Sequence, residues 1–118
     1  MRTVTLEGSG GLLIPRCKVA ETFIPRAAGL MFRKGIPREE AILFPNCTSI
    51  HTCFMRFPID VLFTNAQGLV VDVVGKLPPW RVLWPRREAR HVVEMAAGRC
   101  AELDISQGSV LRCEGVFV

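Results

Sequence analysis

Residues 50–64 read IHTCFMRFPIDVLFT, and this stretch decides the fold class. Apolar and β-branched residues dominate on both sides of Pro58, which predicts two strands, at residues 50–57 and 59–63. The turn sequence NAQG follows at residues 65–68, and the valine-rich run LVVDVV occupies residues 69–74. Because short turns join successive apolar runs, we expect these strands to pair antiparallel.

Toward the N-terminus, the flexible sequence GSGG at residues 8–11 separates two short apolar runs. This pattern predicts that residues 1–17 form an N-terminal hairpin or arm. Thr22 is expected to cap a short helix that ends near Gly35, since threonine is favoured before a helix and glycine after it. An acidic helical turn at residues 37–40 then leads into the apolar run at 41–44.

Toward the C-terminus, three prolines make residues 78–85 irregular or an edge, because proline cannot donate a ladder hydrogen bond. Strands are predicted at residues 91–95 and 110–118, with a short helical turn over residues 101–104 between them. The chain of 118 residues, 49% hydrophobic and 22% charged, fits one compact domain over residues 1–118.

The predicted class is α+β and strand-dominated, with one or two short helices. The sheet is expected to be a strongly twisted antiparallel sheet or a partly closed barrel, because right-handed twist accumulates and closure hides sheet edges.

The net charge of +4 is modest and dispersed along the chain. The densest basic cluster is Arg86, Arg87 and Arg90, and Glu88 interrupts it. Dispersed charge makes few simultaneous phosphate contacts, so a nucleic-acid partner is not expected. No apolar run approaches the roughly twenty residues of a membrane span, and no export signal is recognised, so we expect no membrane partner and a cytoplasmic location. The oligomeric state is left open.

Five cysteines form no CxxC pair, which argues against a disulfide framework and favours small buried side chains in a reducing cytosol. Cys47, His51 and Cys53 have the ligand types of a zinc or copper site, but their spacing matches no recognised metal knuckle. We therefore expect neither a metal nor another cofactor. A reactive thiol would need His51 or His91 as its base, and Cys53 is the best candidate nucleophile.

Two carboxylates lie among apolar neighbours and need partners, because an unpaired buried charge is costly. For Asp60 the candidate partners are Arg56, His51 and Arg81. For Glu94 they are Arg81, Arg90 and Arg99. A pair of this kind would leave charged groups beside a shared concave surface.

Two further features indicate a recognition surface. Alternation along the predicted strand at residues 50–57 would place His51 and Met55 on one face. Trp80 and Arg81 follow two prolines, and both residue types are favoured at binding surfaces.

Six motifs occur in order along residues 18–112, and together they resemble those of a prokaryotic family called domain of unknown function 192. The motifs are GLMFR at 29–33, ILFP at 42–45, SIHT at 49–52 with Met55, IDVLF at 59–63, Gly68 with Val70, and VEMAAG at 93–98. The resemblance implies a compact, strand-rich α+β domain. It implies no enzyme activity, substrate or cofactor.

We predict a noncatalytic binding module for a small ligand, peptide or partner protein, because no complete set of nucleophile, base and stabiliser is recognised. The alternative is a thiol- or histidine-dependent enzyme or redox protein that uses Cys53 and His51. No residue is assigned a catalytic role. The predicted ligand-binding residues are His51, Met55, Arg56, Asp60, Trp80, Arg81 and Glu94.

Overall fold

The computed structural model describes residues 2–21 and 33–117. The helix predicted from Thr22 falls largely on residues 22–32, outside the described residues. Strands dominate the described chain, and one short helix follows the last strand. The elements are β1 (Arg2–Gly8), β2 (Gly11–Val19), β3 (Glu40–Phe44), β4 (Ile50–His51), β5 (Ile59–Thr64), β6 (Val70–Leu77), β7 (Val82–Leu83), β8 (His91–Ala96) and α1 (Arg99–Glu102).

Six strands form one mixed sheet in the order β1-β2-β3-β8-β5-β6. β2 and β3 pair in parallel, whereas the other neighbours pair antiparallel. The prediction of an antiparallel sheet is therefore right for four of the five strand pairs and wrong for β2 with β3. The reason is the long connection over residues 20–39, because only a connection of about a dozen residues or more lets the chain return for parallel pairing.

The sheet is not closed into a barrel, although the C-terminal segment contacts both of its edges. Glu7 in β1 exchanges two backbone hydrogen bonds with Arg112, of 2.8 and 2.7 Å. Leu69, beside β6, forms a second isolated bridge with Val110. Residues 110–118 were predicted to be a strand, but 110–117 form only these bridges and a turn. Two isolated bridges do not make the continuous ladder that closure requires.

The two faces of the sheet carry separate hydrophobic cores, because successive strand residues point to opposite sides. The first core contains Leu62 and Val93 together with Leu111 of the C-terminal segment. The second contains Phe63 and Val92. Neighbouring residues of β5 and β8 therefore belong to different cores.

The predicted strand at residues 50–57 is shorter than expected. β4 ends at His51 and pairs with β7 in a separate two-stranded ribbon. The Met55 amide donates to the Thr52 carbonyl (3.2 Å), and Phe54 between them has a φ of +67°. This turn breaks the alternation, so the expected common face of His51 and Met55 is wrong: His51 is exposed and Met55 is buried in the second core.

Candidate functional site

Thr52 holds two surface loops together. It is fully buried, and its hydroxyl donates to the Pro78 carbonyl (2.8 Å) and accepts from the Arg81 amide (2.8 Å). Its own amide donates to the Arg81 carbonyl (2.8 Å), and its carbonyl accepts from the Trp80 amide (3.1 Å). A single side chain and its peptide groups therefore fix the loop at residues 78–81 against the turn at 52–55.

Two large aromatic side chains are displayed by these loops. Phe54 and Trp80 both have left-handed backbones, with φ of +67° and +63°. Their rings meet edge to face with centroids 4.8 Å apart, an arrangement favoured between aromatic rings. Bulky residues in the left-handed region cost about 1–3 kcal/mol each, and such strain concentrates at functional sites.

Next to this pair lies an open cavity of about 430 Å³, which we call the aromatic groove. Its apolar walls are unusually exposed: Trp84 is 73% exposed, Val82 52% and Phe54 51%, with the adjoining Trp80 at 59%. Contiguous exposed apolar side chains on a folded domain are typical of interaction sites. The groove is lined by Ser49, Ile50, His51, Cys53, Phe54, Val82 and Trp84.

The imidazole of His51 is engaged by the backbone. Its Nδ1 accepts a hydrogen bond from the Cys53 amide (3.2 Å). A neutral ring with this contact carries its proton on Nε2. The nitrogen that accepts is thus directed at a peptide group rather than at the Cys53 thiol, so these contacts do not form the thiol–imidazole pair of the alternative hypothesis.

Two exposed arginines lie on or directly after the loops that display the aromatic side chains. Arg81 is exposed, and its guanidinium donates to the Pro79 carbonyl (3.4 Å). Arg56 is also exposed. Arg86 is ion-paired with Asp72 (2.8 Å) and lies over the Phe63 ring. Arg86 and Arg87 line a separate cavity together with Asp72 and Glu88, so the exposed cations next to the groove residues in the chain are Arg56 and Arg81.

Asp60 has none of the predicted partners. Its buried carboxylate accepts three backbone amides instead: Oδ1 from Lys76 (2.8 Å) and Gly98 (2.9 Å), and Oδ2 from Cys100 (2.9 Å). The prediction of a guanidinium or imidazole partner is wrong, because free amides at the end of β6 and at the start of α1 satisfy the charge. Asp60 thus ties β5 to both of these segments.

Glu94 is also buried, but none of the ion pairs within residues 2–21 and 33–117 includes it. Burial raises the pKa of its carboxyl to about 8. Glu94 lies opposite Val61 in the β5–β8 pairing, so it shares a face with Val61, and the preceding Asp60 points to the other face. The predicted shared hollow for the two carboxylates is therefore absent.

Of the predicted site residues, the structure brings together His51, Trp80 and Arg81 around the aromatic groove. Met55, Asp60 and Glu94 lie in the interior, and a ligand-binding role for any of the seven residues stays a prediction. The sequence analysis did not single out Phe54, which fits the apolar strand predicted at residues 50–57. It did not single out Val82 either, which lies in the segment predicted to be irregular or an edge. The role of Thr52 was missed as well, because nothing in the neighbouring sequence indicates its hydrogen bonds to Pro78 and Arg81.

Two findings concern metal binding and the second histidine in the described chain. Within it, no three histidine, cysteine or acidic side chains are close enough to hold a metal ion. The second histidine, His91, is buried, and its Nδ1 accepts from the Asn46 amide (3.0 Å). Burial, and then the charge of Arg90, lowers the pKa of His91.

None of the described helices is long and apolar enough to cross a membrane.

Two proteins from Pyrococcus species are similar to this chain in sequence. The UPF0127 protein of Pyrococcus furiosus is 41% identical over 99 residues, which cover 80% of this chain and 83% of the relative. The UPF0127 protein of Pyrococcus horikoshii is 42% identical over 86 residues, covering 69% of this chain and 72% of the relative.

Two solved structures are similar over almost the whole chain. A protein of unknown function from Novosphingobium aromaticivorans has a TM-score of 0.79 at 26% identity, over 93% of this chain and 83% of that one. A putative transcription regulator from Sinorhizobium meliloti has a TM-score of 0.80 at 24% identity, over 96% of this chain and 93% of that one, which shows likeness of fold alone.

The family profile of domain of unknown function 192, described as Uncharacterized ACR, matches residues 4–113. The match covers all six motifs on which the resemblance was based. Together with the relatives above 40% identity, it shows that this chain belongs to the family of domain of unknown function 192.

Proposed function

We propose that this protein is a noncatalytic binding module whose aromatic groove takes up a short apolar and acidic segment of a partner protein. The observation that carries the proposal is the contiguous exposure of Phe54, Val82 and Trp84 beside Trp80. Two of these aromatic residues have strained backbones that buried Thr52 holds in place. A fold that keeps strained aromatic rings in water gains little stability from them, which supports a role in recognition.

Two exposed arginines beside the groove favour an acidic partner. Arg81 directly follows Trp80, Arg56 lies two residues after Phe54, and both are exposed. Apolar side chains would fill the groove while carboxylates face these guanidinium groups. We further propose that the module works in a reducing compartment such as the cytoplasm, which is supported by its five free thiols.

A displayed library of random decapeptides, selected on the full-length protein, tests the proposal. Selected peptides should combine apolar side chains with excess Asp and Glu. A fluorescein-labelled peptide from this set should bind Trp84→Ala at least about tenfold more weakly than wild type, because a central Trp commonly contributes 2 kcal/mol or more. The melting temperature should stay nearly unchanged, since Trp84 is 73% exposed.

Two controls make the result specific. Leu12→Ala truncates an apolar side chain that is 58% exposed on β2, and it should leave peptide binding unchanged. Replacing the acidic residues of the peptide by Lys should weaken binding to wild type. Equal affinity of the peptide for wild type and Trp84→Ala would contradict the proposal, and selection of peptides without acidic residues would contradict the assigned partner chemistry.

A further inference from the structure

Two buried cysteines from opposite ends of the chain meet in the first core. Cys17 lies in β2 and is 0% exposed, and Cys113 lies in the C-terminal segment and is 3% exposed. Both cysteines belong to the same buried cluster, and a side-chain hydrogen bond between their thiols is the largest cause of the pKa shifts of both. Cys113 is held near the N-terminal hairpin because its neighbour Arg112 exchanges two backbone hydrogen bonds with Glu7.

The two thiols differ in their electrostatic surroundings. The hydrogen bond from Cys17 lowers the pKa of Cys113 although burial opposes the shift, and the positive charge of Arg2 lowers it further. The same hydrogen bond, together with burial, raises the pKa of Cys17. Arg2 is kept near the C-terminal segment by a hydrogen bond to the Gly115 carbonyl (3.3 Å). Cys113 is therefore the more acidic of the two thiols.

Cys113 also has a route to solvent. It lines a surface cavity of about 610 Å³, together with Gln67, Glu114 and Phe117. A water molecule occupies about 30 Å³ in the liquid, so an oxidant only slightly larger than water can enter such a cavity. Cys100 differs from this pair: burial and then Asp60 raise its pKa, and its sulfur lies 3.7 Å from the Met95 sulfur.

We propose that Cys113 and Cys17 are a redox pair that hydrogen peroxide converts into an intramolecular disulfide. The Cys113 thiolate attacks one peroxide oxygen, the O–O bond breaks, and the departing hydroxide takes up a proton to become water. Cys113 becomes a sulfenic acid, oxidised by two electrons, while the peroxide is reduced. The Cys17 sulfur then attacks the Cys113 sulfur, the S–O bond breaks, and water leaves with the Cys17 proton.

The bridge would join β2 to the C-terminal segment. It closes a loop of nearly one hundred residues, and in the chain-entropy account long loops give the larger gain in stability. A thiol reductant would reverse it. The fold would then be more resistant to unfolding under oxidising conditions than under reducing ones.

Peptide mapping of the native full-length protein tests the proposal. Reduced protein, freed of reductant, is treated with hydrogen peroxide, alkylated with iodoacetamide and digested with trypsin. Cleavage after Arg16, Lys18 and Arg112 should release the dipeptide 17–18 joined to the peptide 113–118. The intact oxidised protein should be about 2 Da lighter than the reduced one, for the two hydrogens lost.

Variants separate the two steps. Cys17→Ser should stop the reaction at a sulfenic acid, which dimedone labels at Cys113, and Cys47→Ser should still form the bridge. Alkylation of both Cys17 and Cys113 after peroxide treatment would overturn the proposal, as would linkage of either to another cysteine. A bridge that forms only in urea would also overturn it, because it would not depend on the native contact. Mapping of wild type decides these outcomes even if a variant fails to fold.

Discussion

Replacement of Glu94 by Gln should remove much of the pH dependence of stability between pH 4.5 and about 8. Glu94 is buried in β8, and burial raises the pKa of its carboxyl from 4.5 to about 8. In the unfolded chain the carboxyl has its ordinary pKa. Between these values the folded state holds a proton that the unfolded state has lost, so the free energy of unfolding falls as pH rises.

The size of the effect follows from this interval. Stability from the protonated carboxyl is complete below pH 4.5 and is lost as pH rises to about 8. Each pH unit in between changes the free energy of unfolding by about 1.4 kcal/mol, and the whole interval by about 5 kcal/mol. Glu94→Gln keeps the shape of the protonated acid and cannot ionise. The advantage of the variant over wild type should therefore grow steadily with pH.

Urea denaturation at pH 5, 6, 7 and 8 measures this difference. His91 acts in the opposite direction, because its lowered pKa makes stability rise as pH increases through its titration. His91 is present in both proteins, so subtracting the wild-type curve from the Glu94→Gln curve removes its contribution. Glu114→Gln, at an exposed position, is the matched control and should follow wild type. Parallel curves for wild type and Glu94→Gln would refute the reasoning.

Three further substitutions test the contacts that hold the fold. Asp60→Asn should lower the free energy of unfolding by about 3 kcal/mol in urea denaturation, because the side-chain NH2 of asparagine would face one of the three backbone N–H donors. Unchanged stability would show that those N–H groups are not the partners of Asp60. Thr52→Val should cost about 1–3 kcal/mol in the same assay and weaken peptide binding at the aromatic groove, whereas intact binding would contradict the role of Thr52 in positioning it. Gly68→Ala should cost roughly 3 kcal/mol or prevent folding, because the φ of Gly68 is +94° and a Cβ would collide with the Leu111 carbonyl. Gly10→Ala is the control in thermal denaturation, since nothing lies near a Cβ at Gly10. Similar melting temperatures of the two variants would count against this packing.

Strand positions were largely predictable from the sequence. The apolar runs became β3, β5 and β8, which are buried on both faces, and the valine-rich run became the partly exposed edge strand β6. Pairing was less predictable. The parallel contact of β2 with β3 depends on the path of residues 20–39, and apolar content carries no information about that path.

The aromatic groove shows what a local pattern misses. Residues 50–57 are apolar enough for a strand, yet Thr52 bonds to residues 78 and 81 and turns the chain. Trp80 was predicted to be a binding residue from the two prolines before it and from its residue type, which is favoured at binding surfaces. Phe54 and Val82 were not, because the same side chains are expected inside a strand-rich core, and only the long-range contacts of Thr52 leave them in solvent.

Asp60 and Glu94 had the same signal in the sequence, a carboxylate between apolar neighbours, and their different outcomes depend on their place in the sheet. Asp60 lies beside a register irregularity between β5 and β6, where the Lys76 amide is free to donate to it. Glu94 lies within β8, between β3 and β5, where the regular ladders on both sides use the backbone amides. A buried carboxylate near a bulge or a turn can be satisfied as an anion, whereas one inside a regular central strand is held protonated unless a cationic side chain reaches it.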